Sequence, residues 1–274
     1  MTISLGDLPE PTALHAWLNA RRRLDWDELI PTKAQIAGQY GVDATARSLT
    51  LLTQAARVER EITEDLTVSI GPGTTAYQLE SRLKSPQSLA RKIFVRTGTA
   101  FDQLPLDDVV RYTVLTPEPD DLVRTATDAC DSLAGRGWEM SGAIHSYVEG
   151  SRYKGLHLFL YSKAVRVEVQ VHSQESIDVK TRTTPLYVVE RDHRQPRERR
   201  TQARNEAIAL SGQMRQPTGI DDLKTLGGVP VAIRFYGRRS SQAPGREEGD
   251  ASSQGQQGAT QRLAQRTSTK ERSL

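Results

Sequence analysis

The chain has 274 residues and carries 37 Lys/Arg against 34 Asp/Glu, a net charge of +3; that length suffices for one sizeable core with a helical extension and a tail. Seven Lys/Arg against four Asp/Glu fall in residues 238–274 and account for the whole excess, so a general basic surface for duplex nucleic acid is not indicated, whereas a local basic cleft for a nucleotide is compatible. A single cysteine, Cys130, excludes an internal disulfide framework and a cysteine-cluster zinc site, and neither a leader-type start nor a membrane-length apolar run is present, so the chain reads as soluble and cytoplasmic.

In chain order, residues 11–65 read as helical, with Ala13, Leu14, Trp17 and Leu18 on one stripe and Leu49, Leu52, Ala55, Ala56 and Val58 on another. Residues 71–75, Gly-Pro-Gly-Thr-Thr, read as a loop. Ser85 followed by Pro86 forms an N-cap and first-turn pair, and Leu89, Ala90, Ile93 and Phe94 recur at helical spacing, which predicts a helix over 86–96. A strand follows over 109–115, ended by Pro117 and Pro119, and then a helix over 120–133 closed by Gly135. Cys130 falls on that helix as a quiet, partly buried thiol. Residues 138–148 read as a strand with a turn at Ser141 and Gly142. Two further strands are expected over 156–161 and 165–172. The second alternates without a break: Val165, Val167, Val169 and Val171 on one face, Arg166, Glu168, Gln170 and His172 on the other. Residues 173–180 suggest a capped helix, 194–214 a charged one, and 229–236 a short late strand. Beyond Gly237 the chain turns to Ser, Gln, Gly, Arg and Thr with almost no large apolar residues, a composition that cannot offset the entropy of ordering, and is read as a disordered tail.

Four segments carry chemistry. The first is residues 82–92, where Lys84 and Ser85 lie at the mouth of the 86–96 helix, Ser88 on its first turn, and Lys92 four residues after Ser88 on the same face. Free N–H groups and the helix dipole favour an anion at such a start. The others are the acidic pair Asp107 and Asp108 before a strand, the run Tyr153-Lys154-Gly155-Leu156-His157, and Glu168-Val169-Gln170. Singly, each also fits an ordinary role: a solvated basic helix face, a turn, a loop aromatic with a strand histidine, the wet side of an edge strand.

Together, the order Arg82-x-Lys84-x-x-x-Ser88-x-x-x-Lys92, then Asp before a strand bearing Arg111, then Tyr153-x-x-x-His157, then Glu168-x-Gln170, resembles the synthetase domain of the RelA/SpoT family of nucleotide pyrophosphokinases. The resemblance covers about residues 77–192. No hydrolase, TGS or ACT regions accompany it, so it points to a small, single-domain or toxin-type member. It implies a mixed α+β or α/β fold: a nucleotidyltransferase-like β-sheet flanked by helices over 71–237, a helical N-terminal extension over 1–70 packed on that core, and the tail over 238–274.

The implied reaction is Mg2+-dependent transfer of pyrophosphate from ATP to the 3′-hydroxyl of a purine nucleotide. On this reading Arg82 stacks on the donor adenine, Lys84, Ser88 and Lys92 hold the triphosphate with Arg91 as a further contact, and Asp107 or Asp108 binds magnesium, with Glu168 as a second ligand or as the base on the attacking hydroxyl. Tyr153 stacks on the acceptor purine, Lys154 and His157 contact its phosphates, Gln170 bonds ribose or phosphate, and Arg111 and His172 support; His145 and Arg152 are weaker candidates. Three departures stand out. The family more often places its metal aspartate five positions before the strand arginine, whereas Asp107 and Asp108 precede Arg111 by four and three. His172 stands where an arginine is usual, and Gly155 where a serine is, which would loosen the loop. Acceptor identity stays open between guanine and adenine nucleotides and the 3′ end of tRNA, for which the arginines of 182–200 offer backbone contacts. A catalytically inactive nucleotide-binding module is the other alternative, and an antitoxin or a second copy of the chain are the protein partners to consider.

Overall fold

The computed structural model describes residues 4–26, 29–99 and 105–237; the tail reading for 238–274 falls outside them. Three helices come first, α1 (Pro11–Asn19), α2 (Lys33–Tyr40) and the long α3 (Val42–Ser69). α2 is closed at its start by a reciprocal capping box between Thr32 and Gln35. α3 buries Leu49, Leu52, Ala55, Ala56, Glu59, Ile62, Thr63 and Leu66, which recur every three or four residues along one face.

A short strand unforeseen from the sequence, β1 (Thr75–Tyr77), precedes α4 (Pro86–Arg96), whose bounds are those expected. Ser85 caps α4 by accepting from the Ser88 amide. Then come β2 (Val110–Thr116), α5 (Leu122–Ala134), β3 (Glu139–His145), β4 (Leu156–Ser162) and β5 (Val165–Ser173). The helices α6 (Gln174–Arg191) and α7 (Arg197–Gly212) and the strands β6 (Thr225–Leu226) and β7 (Val229–Ile233) complete the described chain.

Four local expectations change. Gly135 closes α5 as expected but in a right-handed conformation, at φ −60°, and Gly137, at φ +80°, takes the left-handed position beyond it. Ser141 and Gly142 do not turn the chain. They form an irregularity in the β3–β4 register, with the Ser141 hydroxyl donating to the Phe159 carbonyl at 2.9 Å. α6 does not end near Lys180 but continues through Pro185 to Arg191. The fourth is Gly155, treated with the site below.

The strands form one mixed sheet in the order β1-β2-β5-β4-β3-β7-β6, with β2/β5 and β3/β7 parallel and the remaining pairs antiparallel. β5 is therefore interior. Its valine row (Val167, Val169, Val171) joins Tyr112 and Val114 of β2, Leu156, Leu158 and Leu160 of β4, and apolar residues of α1, α3, α4 and α5 in one continuous core. The opposite row, Arg166, Glu168, Gln170 and His172, is polar. Among the described residues no helix is long and apolar enough to cross a membrane.

Candidate active site

Register alone gathers most of the site. In the parallel β2–β5 ladder Arg111 stands opposite Glu168, and in the antiparallel β4–β5 ladder His157 stands opposite Gln170. Paired residues share a face of the pleat, so Arg111, Glu168, Gln170 and His157 all project from the side away from the valine row. This removes the edge-strand alternative for Glu168, which is fully buried between two neighbours. His145 pairs with Leu156, one residue out of phase, and falls on the opposite face from His157. Arg152 is committed to Glu190, Nε to Oε2 at 3.0 Å.

The phosphate-type segment reaches the same end of the sheet by a short antiparallel pairing. The Lys84 amide donates to the Val109 carbonyl at 3.1 Å and the Arg111 amide to the Arg82 carbonyl at 2.8 Å, which sets Lys84 beside the turn holding Asp107 and Asp108. Asp108 is buried and accepts from two ammonium groups, Lys84 Nζ to Oδ2 at 2.7 Å and Lys92 Nζ to Oδ1 at 2.6 Å. Burial alone would raise its carboxyl, but the two lysines outweigh that and hold it well below the usual carboxylate range. Burial brings Lys84 down to about 8, opposed by Asp108. The two acids thus separate: Asp107 turns toward Arg166, Oδ1 to Nε at 2.6 Å, and only Asp108 enters the lysine cradle. Ser88 lies half-buried on the first turn of α4, and the Arg91 Nε is buried with no hydrogen-bond partner among the described residues.

Arg82 overturns its expected role. The guanidinium is 1 % exposed, is ion-paired with the buried Glu59 of α3, and donates to the carbonyls of Arg22, Arg23 and Leu79 at 3.1, 2.7 and 3.1 Å. A group committed on every side inside the protein presents no face to an adenine ring. It ties the N-terminal helices to the site.

Around Glu168 the polar groups form a chain. His157 Nδ1 lies 2.7 Å from Glu168 Oε1, which also accepts from Gln170 Nε2 at 3.0 Å. The Tyr153 hydroxyl sits between His157 Nε2 at 2.8 Å and His172 Nε2 at 3.0 Å, and His172 Nδ1 reaches the Ser176 hydroxyl at 2.9 Å. Burial, then Lys180, His157 and Arg111, push His172 well below its ordinary pKa. Glu168 is held below the usual value despite its burial, by the His157 hydrogen bond and charge and by Arg111. Its other oxygen, Oε2, is buried and has no hydrogen-bond partner among the described residues. Gly155 explains itself here: a Cβ there would lie 2.8 Å from the Tyr153 hydroxyl, 3.0 Å from His157 Nε2 and 3.0 Å from His172 Cε1. The glycine makes room for the cluster and does not merely loosen a loop. Lys154 is buried, and burial lowers its amine.

Two participants escaped the sequence reading, Ser176 and Lys180. Ser173 caps α6 by accepting from the Ser176 amide, and Lys180 lies one turn further on. Burial and then Arg111 push the Lys180 amine well below its ordinary pKa, with Glu168 opposing. The spacing 173, 176, 180 on one helix face was the available signal.

A divalent cation such as magnesium takes hard oxygen donors, commonly one or two carboxylates completed by substrate phosphates and water. No group of three or more His, Cys, Asp or Glu side chains poised for a metal occurs among the described residues. The unpartnered Glu168 Oε2 fits one donor of such a half-site; the Asp108 carboxylate is a second hard donor whose oxygens Lys84 and Lys92 now occupy, and phosphate oxygens would supply the remaining donors.

No protein-family model matches the chain and no curated protein matches it. Among solved structures, the small alarmone synthetase 1 from Bacillus subtilis, bound to its product pppGpp, aligns at 15% identity over 58% of this chain and 81% of that one, with a TM-score of 0.31.

Proposed function

We propose that the chain is a small nucleotide pyrophosphokinase of the RelA/SpoT synthetase type, which moves pyrophosphate from ATP to the 3′-hydroxyl of a purine nucleotide. The observation that carries this reading is the buried, unpartnered Oε2 of Glu168 on the same sheet end as a lysine cradle. A carboxylate kept ionised by His157 and Arg111, with one oxygen left open, is suited to receive a proton or hold a hydroxyl. The nearby ammonium groups are suited to phosphate.

In the reaction the acceptor 3′-oxygen bonds to the β-phosphorus of ATP, the bond between that phosphorus and the α-phosphate bridging oxygen breaks, and AMP leaves. The hydroxyl proton passes to Glu168. Lys84 and Lys92, with Ser88 and Arg91, hold the triphosphate and neutralise charge as it shifts toward the leaving group. A bound magnesium ion, held by Asp108 and Glu168, would supply further charge neutralisation on the phosphates. Tyr153, Lys154, His157, Gln170 and Lys180 line the acceptor end, and the His157–Tyr153–His172 chain fixes the rotamers that surround Glu168. Arg82 and Glu59 brace the cradle from behind.

Incubation of the purified protein with ATP labelled in its β- and γ-phosphates and with GDP, GTP, AMP, ADP, ATP or tRNA tests the proposal. Magnesium-dependent transfer of label to at least one acceptor is expected; absence of transfer to all of them at millimolar magnesium, with nucleotide binding retained, would favour an inactive binding module instead.

A further inference from the structure

Asp108 occupies the place where the proposed reaction needs phosphate. Its two oxygens are each taken by an ammonium group, at 2.7 Å from Lys84 and 2.6 Å from Lys92, and all three side chains are buried, at 2, 6 and 6 % exposure for Asp108, Lys84 and Lys92. The partners come from separate elements: Lys84 from the segment paired beside β2, Lys92 from the second turn of α4, Asp108 from the turn entering β2. The Arg111 charge also acts on Lys84, and the Asp108 charge on Glu168, so a third cation and a second carboxylate belong to the same electrostatic cluster. Two lysines straddling one carboxylate present the donor pattern that two oxygens of a phosphate would meet.

The arrangement creates a conflict for any cation. Like charges in a buried, weakly screened site repel strongly, so a divalent ion beside Asp108 is opposed by both ammonium groups unless another anion takes them. A metal-free polyphosphate meets the converse obstacle, because Asp108 already holds the cradle. Each ligand removes the obstacle to the other.

We propose that Asp108 is a resident counter-anion that a cation-bearing polyphosphate displaces. Phosphate oxygens take over Lys84 and Lys92, and the released carboxylate becomes a ligand of the accompanying divalent cation. This rests on the phosphate cradle of the proposed function, and it makes cation and phosphate binding mutually reinforcing by linkage. It also discriminates against polyphosphate that arrives without a cation.

Titration calorimetry of the full chain with inorganic triphosphate, in EDTA and in excess Mg2+, tests the exchange on the wild type and on Asp108→Asn. The variant is expected to bind metal-free triphosphate about tenfold more tightly than the wild type and to lose the gain that Mg2+ brings, as removal of one buried competing charge requires. Equal or weaker metal-free binding by the folded variant overturns the exchange. A second arm needs no variant: Mn2+ binding followed by electron paramagnetic resonance should tighten in the wild type when sulfate is added, since sulfate takes the lysines without chelating the metal. No tightening there also overturns it. Triphosphate binding indifferent to Asp108→Asn would leave the cradle standing and refute only the exchange, whereas no triphosphate binding to either protein would refute the nucleotide reading itself.

Discussion

His157 and Glu168 meet at 2.7 Å, Nδ1 to Oε1, across adjacent strands, and that contact leaves Glu168 Oε2 as the open oxygen of a fully buried carboxylate. If His157 acts by orienting Glu168, the two side chains form a unit and their effects will not add. Glu168→Gln keeps the shape, removes the carboxylate proposed as the base and is expected to lower transfer by about 10²–10⁴. His157→Gln should cost less, and the double variant no more than Glu168→Gln alone. Single-turnover transfer measured on the three variants checks this. A double variant markedly worse than Glu168→Gln would mean that His157 has an independent task.

Arg82 should behave as a structural residue. Removing one member of a buried, hydrogen-bonded ion pair leaves the other charge uncompensated and typically costs 3–5 kcal/mol. Arg82→Met would strand Glu59 and several carbonyls, so a loss of about that size is expected in urea unfolding. Glu59→Gln in the Arg82→Met background should recover part of it, because the stranded carboxylate is then gone. ATP affinity of whatever remains folded should change little, whereas a guanidinium stacked on adenine would give the reverse pattern: near-normal stability and weakened ATP binding.

The two fates of Arg82 and Glu168 show what was legible. The β5 alternation marks a polar row on one strand face, and the structure adds only that β2 and β4 bring Arg111 and His157 onto it. The start of α4 was equally plain, since Ser85 and Pro86 are local signals that act within one turn. Arg82 was misjudged because its partner Glu59 lies 23 residues earlier, on a different element, and no local pattern reports such a pairing. Gly155 was misread for the same reason: its role depends on three side chains that converge only after β4, β5 and the 151–155 loop are in place. The helix through Pro185 shows tertiary packing overriding a residue that ordinarily interrupts a helix.

Gly155 makes a direct prediction. Because an added Cβ would lie 2.8 Å from the Tyr153 hydroxyl and 3.0 Å from both histidines, one of these groups must move. Tyr153 is tethered to both rings through its hydroxyl, so the shift breaks at least one hydrogen bond in a buried cluster. Gly155→Ser is expected to destabilise the fold by about 1–3 kcal/mol, the usual range for overpacking. It should also lower transfer more than it lowers triphosphate affinity, because the cradle around Lys84 and Lys92 is left intact. Paired measurement of unfolding, transfer and triphosphate binding resolves the two effects; unchanged stability and transfer would show that the cluster rearranges freely.

His172 sets a pH dependence of stability. Its pKa in the folded protein is pushed well below 6.5, chiefly by burial and further by its neighbours Lys180, His157 and Arg111, whereas on unfolding the imidazole regains about 6.5. Between those two values the unfolded chain therefore binds the extra proton. Stability from this group is complete above about pH 6.5 and is lost as pH falls below it, by at most about 1.4 kcal/mol per pH unit. His145, also lowered mainly by burial, adds to the slope with the same sign, while Asp108, held low by its lysines, contributes only once pH falls below its ordinary value of 3.8. Denaturant unfolding between pH 7.5 and 5 should thus show a falling midpoint. His172→Asn will be less stable at neutral pH, having lost bonds to Tyr153 and Ser176, yet its midpoint should fall less steeply with acid. A slope unchanged from wild type would mean that His172 is not held neutral in the folded protein.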